Sequence, residues 1–229
     1  MSGEFLAIIA VLFMDKFIYR LAFYKKELLK YVSSNDLLSF LIRALRRSYL
    51  PICYSQGFNP KPLISFGLPC PVGVESEQDW IDITLGKEME KNEIMESLNS
   101  QLPKSLQFFR CERKYTNSSL ISDTYGINYE LKVFALIKEK LLEEVAEFKN
   151  KENVMILVRR GSKIKEINIK SFIEDMELKE IETGYFIVSL KTKKIGDSII
   201  RGEEFLEIFS SKPLLLDQKR EVVLNCINY

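Results

Sequence analysis

The chain of 229 residues contains no histidine, one tryptophan and four cysteines, and no apolar run as long as a membrane span. Without imidazole it lacks the side chain that most often serves as general base, proton shuttle and metal ligand near neutral pH. Any chemistry must then use Asp, Glu, Lys, Cys, Tyr or Ser. The cysteines, Cys53, Cys70, Cys111 and Cys226, lie 17, 41 and 115 residues apart. Zinc and iron–sulfur sites announce themselves by short ligand spacings, and none is present. The expectation is buried reduced thiols in a cytoplasmic protein with no metal and no cofactor. The longest apolar run, Phe5–Met14, has ten residues, against about 20 for a membrane helix, and it lacks the basic leader of a signal peptide. No membrane partner is expected. Patterned sequence starts at Lys16, so residues 1–15 read as an N-terminal extension, with Met14 the expected native start.

What is present is 46% hydrophobic and 28% charged residues, enough to close a core in one large or two small domains. Alternation in 16–25 predicts a strand with Phe17, Tyr19, Leu21 and Phe23 on one face. Ser33 to Asp36 supply a helix N-cap, and Leu37, Leu38, Leu41 and Leu45 form one stripe of the helix that follows. Residues 52–73 hold four prolines and three glycines and cannot be one regular element. Strands are predicted at 79–86 and 105–113 around an acidic helix at 88–99. The order matches the split βαβ plan of ferredoxin-like domains.

The second half repeats that order, with a strand at 127–136, a helix at 138–150 and a hairpin at 154–169 around Arg160-Gly161-Ser162. After an indistinct patch near 170–182 come a strand at 184–191, a helix at 201–210 and a strand near 221–227. The fold class expected is α+β: two ferredoxin-like halves with antiparallel sheets, 16–113 and 127–229, joined by a linker at 114–126, or one continuous pseudo-duplicated domain.

The near balance of 33 basic and 32 acidic residues conceals opposed patches. From Lys16 to Lys61 nine basic residues face two acids, a net of +7, and from Glu75 to Glu96 eight acids face two lysines, a net of −6. Arg43, Arg46 and Arg47 stand at i, i+3 and i+4 and share one helix stripe opposite the leucines. Guanidinium suits phosphate because its planar fork donates two parallel hydrogen bonds. Pairing with the acidic segment is the competing expectation. Arg159, Arg160, Lys163 and Lys165 form a second basic cluster around the hairpin tip.

Tyr54-Ser55-Gln56-Gly57-Phe58-Asn59-Pro60-Lys61-Pro62 is the most unusual stretch. Gly57 frees the backbone, the two prolines fix φ, and Gln56, Asn59 and Lys61 offer amides and a cation from that frame.

At these residues the chain resembles the radical-SAM-linked proteins, a bacterial domain of unknown function found alone or fused behind a radical SAM enzyme. The resemblance rests on Arg20 and Phe23, on Arg43 to Arg47, on Tyr54 to Pro62, on Ile64 to Phe66, on Pro69 to Gly73, and on Asp82-Ile83. It departs at two expected histidines. Ser33-Ser34-Asn35-Asp36 stands for Ser-His-Leu-Asp, and Lys61 replaces the histidine of Asn-Pro-His-Pro. The resemblance implies a radical SAM partner and a context of RNA or ribosome metabolism. The chain itself lacks the C-x-x-x-C-x-x-C of such an enzyme.

The expected function is a non-catalytic accessory module that binds RNA or an RNA-containing assembly, with Arg20, Arg43, Arg46, Arg47 and Lys61 on phosphate and Gln56 and Asn59 orienting the contact. No catalytic residue is assigned. The alternatives are an RNA-modifying enzyme of pseudouridine-synthase-like architecture, with Asp36 or Asp82 as its carboxylate, and a protein-interaction module.

Overall fold

The computed structural model describes residues 16–225, the side chain of Arg160 excepted. The Phe5–Met14 run, the expected Met14 start and Cys226 lie outside the described residues. The described chain divides into two compact units, residues 16–71 with 79–122, and residues 72–78 with 123–225.

In the first unit the elements run β1 (Phe17–Lys25), α1 (Ser34–Arg47), β2 (Ile64–Phe66), β3 (Glu75–Leu85), α2 (Lys91–Asn99) and β4 (Leu106–Lys114). The sheet is ordered β4-β1-β3, and β2 pairs antiparallel with β3. Alternation in β1 places Tyr19, Leu21 and Phe23 in a core with Leu37, Leu41 and Leu45 of α1 and Ile94 and Leu98 of α2. Burying each leucine is worth about 1.5–3 kcal/mol. Phe23 meets Phe66 and Phe108 edge-on, at centroid separations of 6.3 and 5.7 Å.

A single turn, α3 (Leu120–Asp123), spans the boundary at 122/123, and the second unit continues with β5 (Thr124–Phe134), α4 (Lys138–Asn150), the hairpin β6 (Met155–Arg160) and β7 (Lys163–Asn168), β8 (Ile173–Glu182), β9 (Tyr185–Thr192), α5 (Gly202–Leu206) and β10 (Leu214–Leu224). The start of β3 pairs parallel with β10, and antiparallel pairing continues through β5, β9 and β8. Phe148 of α4 packs edge-on against Phe205 of α5, which does the same with Phe209. Gly126 is required by a close approach, because a Cβ there would lie 1.7 Å from the Thr192 carbonyl oxygen.

The architecture is therefore α+β with mostly antiparallel pairing. Two local readings change, and the expected hairpin is present. The patternless stretch 170–182 is strand β8, most of whose residues are exposed; charged side chains along an edge strand hide the alternation and discourage further pairing. The hairpin β6–β7 forms a separate two-stranded sheet, and Gly161 takes φ +63 at its turn. The helix expected at 201–210 stops at Leu206, because Ile208 and Phe209 donate to Phe205 and Leu206, bonds of i to i−3 that tighten the chain out of the α form.

Candidate nucleic-acid interface

Helix α1 starts where the sequence supplies a cap. The Ser33 hydroxyl oxygen accepts from the Asp36 amide at 3.2 Å, and the Ser33 hydroxyl donates to the Asp36 carboxylate at 2.7 Å. Leu37, Leu41, Ala44 and Leu45 are buried, which turns Arg43, Arg46 and Arg47 to solvent. Arg46 and Arg47 occupy the last turn, where cations complement the helix dipole. Beyond them Ser48 caps the Leu45 carbonyl, and Tyr49 adopts φ +57, which ends the helix.

Arg47 donates to the side-chain and backbone oxygens of Gln101, each at 3.3 Å. The side chains of Arg43 and Arg46 make no hydrogen bond or ion pair with another described residue. None of the three pairs with the acids of 75–96 among the described residues, so the competing expectation for the stripe is not realised there.

The proline-rich stretch follows. The Cys53 amide donates to the Thr84 carbonyl, and the Leu63 amide donates to the Cys53 carbonyl, each at 2.8 Å. Between these anchors the loop closes on itself. The Ser55 amide donates to the Lys61 carbonyl at 2.8 Å, the Lys61 amide returns to the Ser55 hydroxyl at 3.0 Å, and Tyr54 bridges Pro62. Gly57 takes φ +121 at the turn, where a side chain would be strained. Gln56, Asn59 and Lys61 are all exposed on this closed loop.

Arg20 corrects the expectation made for it. Its side chain is fully buried, and its guanidinium donates from Nε to Asp82 Oδ1 at 2.7 Å and from Nη2 to Oδ2 at 2.9 Å. Lys114 Nζ lies 3.1 Å from the same Oδ2 and also donates to the Ser118 carbonyl. Both faces of β1 are covered, so its polar positions are not surface positions. Asp82, the candidate catalytic carboxylate of the enzyme alternative, is the buried counter-charge of this cluster, and Asp36 belongs to the helix cap. Of the seven residues expected to contact nucleic acid, the structure exposes six, all within α1 and the closed loop.

The hairpin cluster is also exposed at Arg159, Lys163 and Lys165. Of the cysteines, Cys70 and Cys111 are buried and Cys53 is half-buried. Burial, with Glu112 nearby, pushes the Cys111 thiol up to about 12, and burial also raises Cys53. Such thiols are poor nucleophiles and poor metal ligands at neutral pH.

Sequence reasoning overlooks two aromatics. Phe58, at the loop turn, has a relative exposure of 112%, and Tyr49, after α1, of 97%. Residues 37–74, which contain both, hold four cations and no acid.

No curated protein matches the chain. A sequence profile described as an uncharacterized protein conserved in bacteria, DUF2344, matches residues 18–201, which span the arginine helix, the closed loop and most of the second unit. The chain therefore belongs to the DUF2344 family.

Proposed function

We propose that this protein is a non-catalytic accessory module of the cytoplasm that binds RNA or a ribonucleoprotein through α1 and the 54–62 loop, and that it works with a radical SAM enzyme. The observation that carries the RNA reading is the set of exposed cations, Arg43, Arg46 and Arg47 on α1 and Lys61 on a loop pinned at Ser55 and Lys61, none neutralised by a described carboxylate. Cations in such an array release counterions when they meet a phosphate backbone, so affinity falls as salt rises. The engagement of Asp82 by Arg20 and Lys114 favours the accessory reading over catalysis by that carboxylate.

The radical SAM partnership rests on the sequence blocks named above. Each unit is proposed to be ferredoxin-like. The first pairs its strands β4-β1-β3 with β2 on β3, and the second pairs β10-β5-β9-β8, the equivalent order with the hairpin inserted. Among the described residues no helix is long and apolar enough to cross a membrane.

The test is affinity purification of the tagged protein from its host, with and without ribonuclease. RNA and a radical SAM enzyme are expected in the untreated eluate. Recovery of neither would remove the proposal.

A further inference from the structure

We infer that the nucleic acid recognised by the first unit is single-stranded, with unpaired bases stacking on Phe58 and Tyr49. The inference rests on the RNA reading above and narrows its substrate class.

Isolated exposed apolar side chains are ordinary on protein surfaces. These two differ in that the backbone bearing each is tied down. Phe58 follows Gly57 and precedes Pro60 in a loop whose ends are tied by the Ser55 to Lys61 hydrogen bonds and the Tyr54–Pro62 bridge. The backbone that presents its ring is tied at both ends, so less backbone entropy is lost when a ligand covers it. The backbone at Tyr49 is constrained differently, by its neighbours. Its φ of +57 is set between Ser48, hydrogen-bonded to Leu45, and Leu50, which is buried.

Each ring also has cations nearby in the chain, Arg46 and Arg47 before Tyr49 and Lys61 after Phe58, in a 38-residue stretch without an acid. Phosphate is attracted to such cations, and carboxylate-bearing side chains that would repel it are absent from that stretch of sequence. A flat ring beside a cation is the pairing that single-stranded nucleic acid uses, base on ring and phosphate on cation. A duplex cannot use it, because its bases present only their edges and hide their faces within the stack. The exposed amides of Gln56 and Asn59 can then reach the edges of a splayed base.

The test is fluorescence anisotropy with a labelled RNA of about 12 nucleotides, presented alone and annealed to its complement. The single strand is expected to bind more tightly. Phe58→Ala and Tyr49→Ala should each weaken single-strand binding about five- to a hundredfold while leaving duplex binding and the salt slope unchanged. Phe58→Trp should retain affinity, and its indole fluorescence should be quenched by the single strand. Equal or tighter duplex binding, or alanine variants that match the wild type, would overturn the inference and leave the RNA reading in place. Failure of both RNAs to bind at low salt would overturn both.

Discussion

Arg20 and Arg46 belong to the same compact unit and carry the same group, yet one is enclosed with Asp82 and Lys114 and the other projects from α1 without a described partner. Burying a guanidinium is tolerable only beside a carboxylate, because desolvation of the charge costs more than a single hydrogen bond returns. Leaving one on a helix surface costs little, and its fork stays available. The buried set holds the sheet together, and the exposed set is open to a ligand.

The contrast breaks most visibly at Asp82. Asp82→Asn leaves Arg20 and Lys114 buried beside a neutral amide, and a loss of about 3–5 kcal/mol is expected from urea unfolding. A loss under about 0.5 kcal/mol would mean that the pair is far less enclosed than its geometry indicates. The exposed set should behave in the opposite sense. Arg46→Ala with Arg47→Ala should shift stability by no more than about 0.5 kcal/mol, while RNA affinity falls and the salt slope drops by about two.

A third comparison sets α1 against the hairpin. Arg159→Ala, Lys163→Ala and Lys165→Ala together should weaken RNA binding less than the α1 pair does, since that tip is a solvated turn. A larger loss would move the interface to the second unit.

Smaller effects follow from titration. Burial raises the Glu144 carboxyl, but hydrogen bonds from Ser210 and Ser211 outweigh it and hold the group below its ordinary value of 4.5. The folded carboxyl thus binds its proton more weakly than the unfolded one. Its contribution is complete above the unfolded value and is lost as pH falls through the folded one. Glu144→Gln should therefore separate from wild type in urea midpoint at pH 7 and converge with it as pH falls below the carboxyl's ordinary value of 4.5; a constant difference would refute the assignment. Cys111, pushed up to about 12, should resist iodoacetamide at pH 8 until the chain unfolds, as peptide mapping would show.

The legible parts of the sequence were those in which one periodicity has one meaning. The leucine and arginine stripes of α1 are such a case, because a 3.6-residue period assigns both faces at once and Ser33 marks the start. Strand β1 shows where this fails. An arginine on the face opposite Tyr19, Leu21 and Phe23 signals a solvated face, and the same signal arises when that face is covered and the arginine is matched by Asp82, 62 residues away in the chain. The pairing is long-range, and no local pattern contains it. Strand β8 was hidden for a related reason, since an edge strand dressed in Glu and Lys has too few apolar residues to show alternation. Within the candidate site, the cations and amides were legible by type, whereas Phe58 and Tyr49 required the closed loop and the end of α1 to be seen.

The central claim, that the exposed cations of α1 and the loop contact nucleic-acid phosphate, is tested most directly by RNA affinity as a function of salt for the wild type and the Arg46→Ala, Arg47→Ala double variant. The account predicts a linear fall of log affinity with log salt in the wild type and a shallower, weaker line in the variant. Coincident lines, or an affinity indifferent to salt, would contradict it.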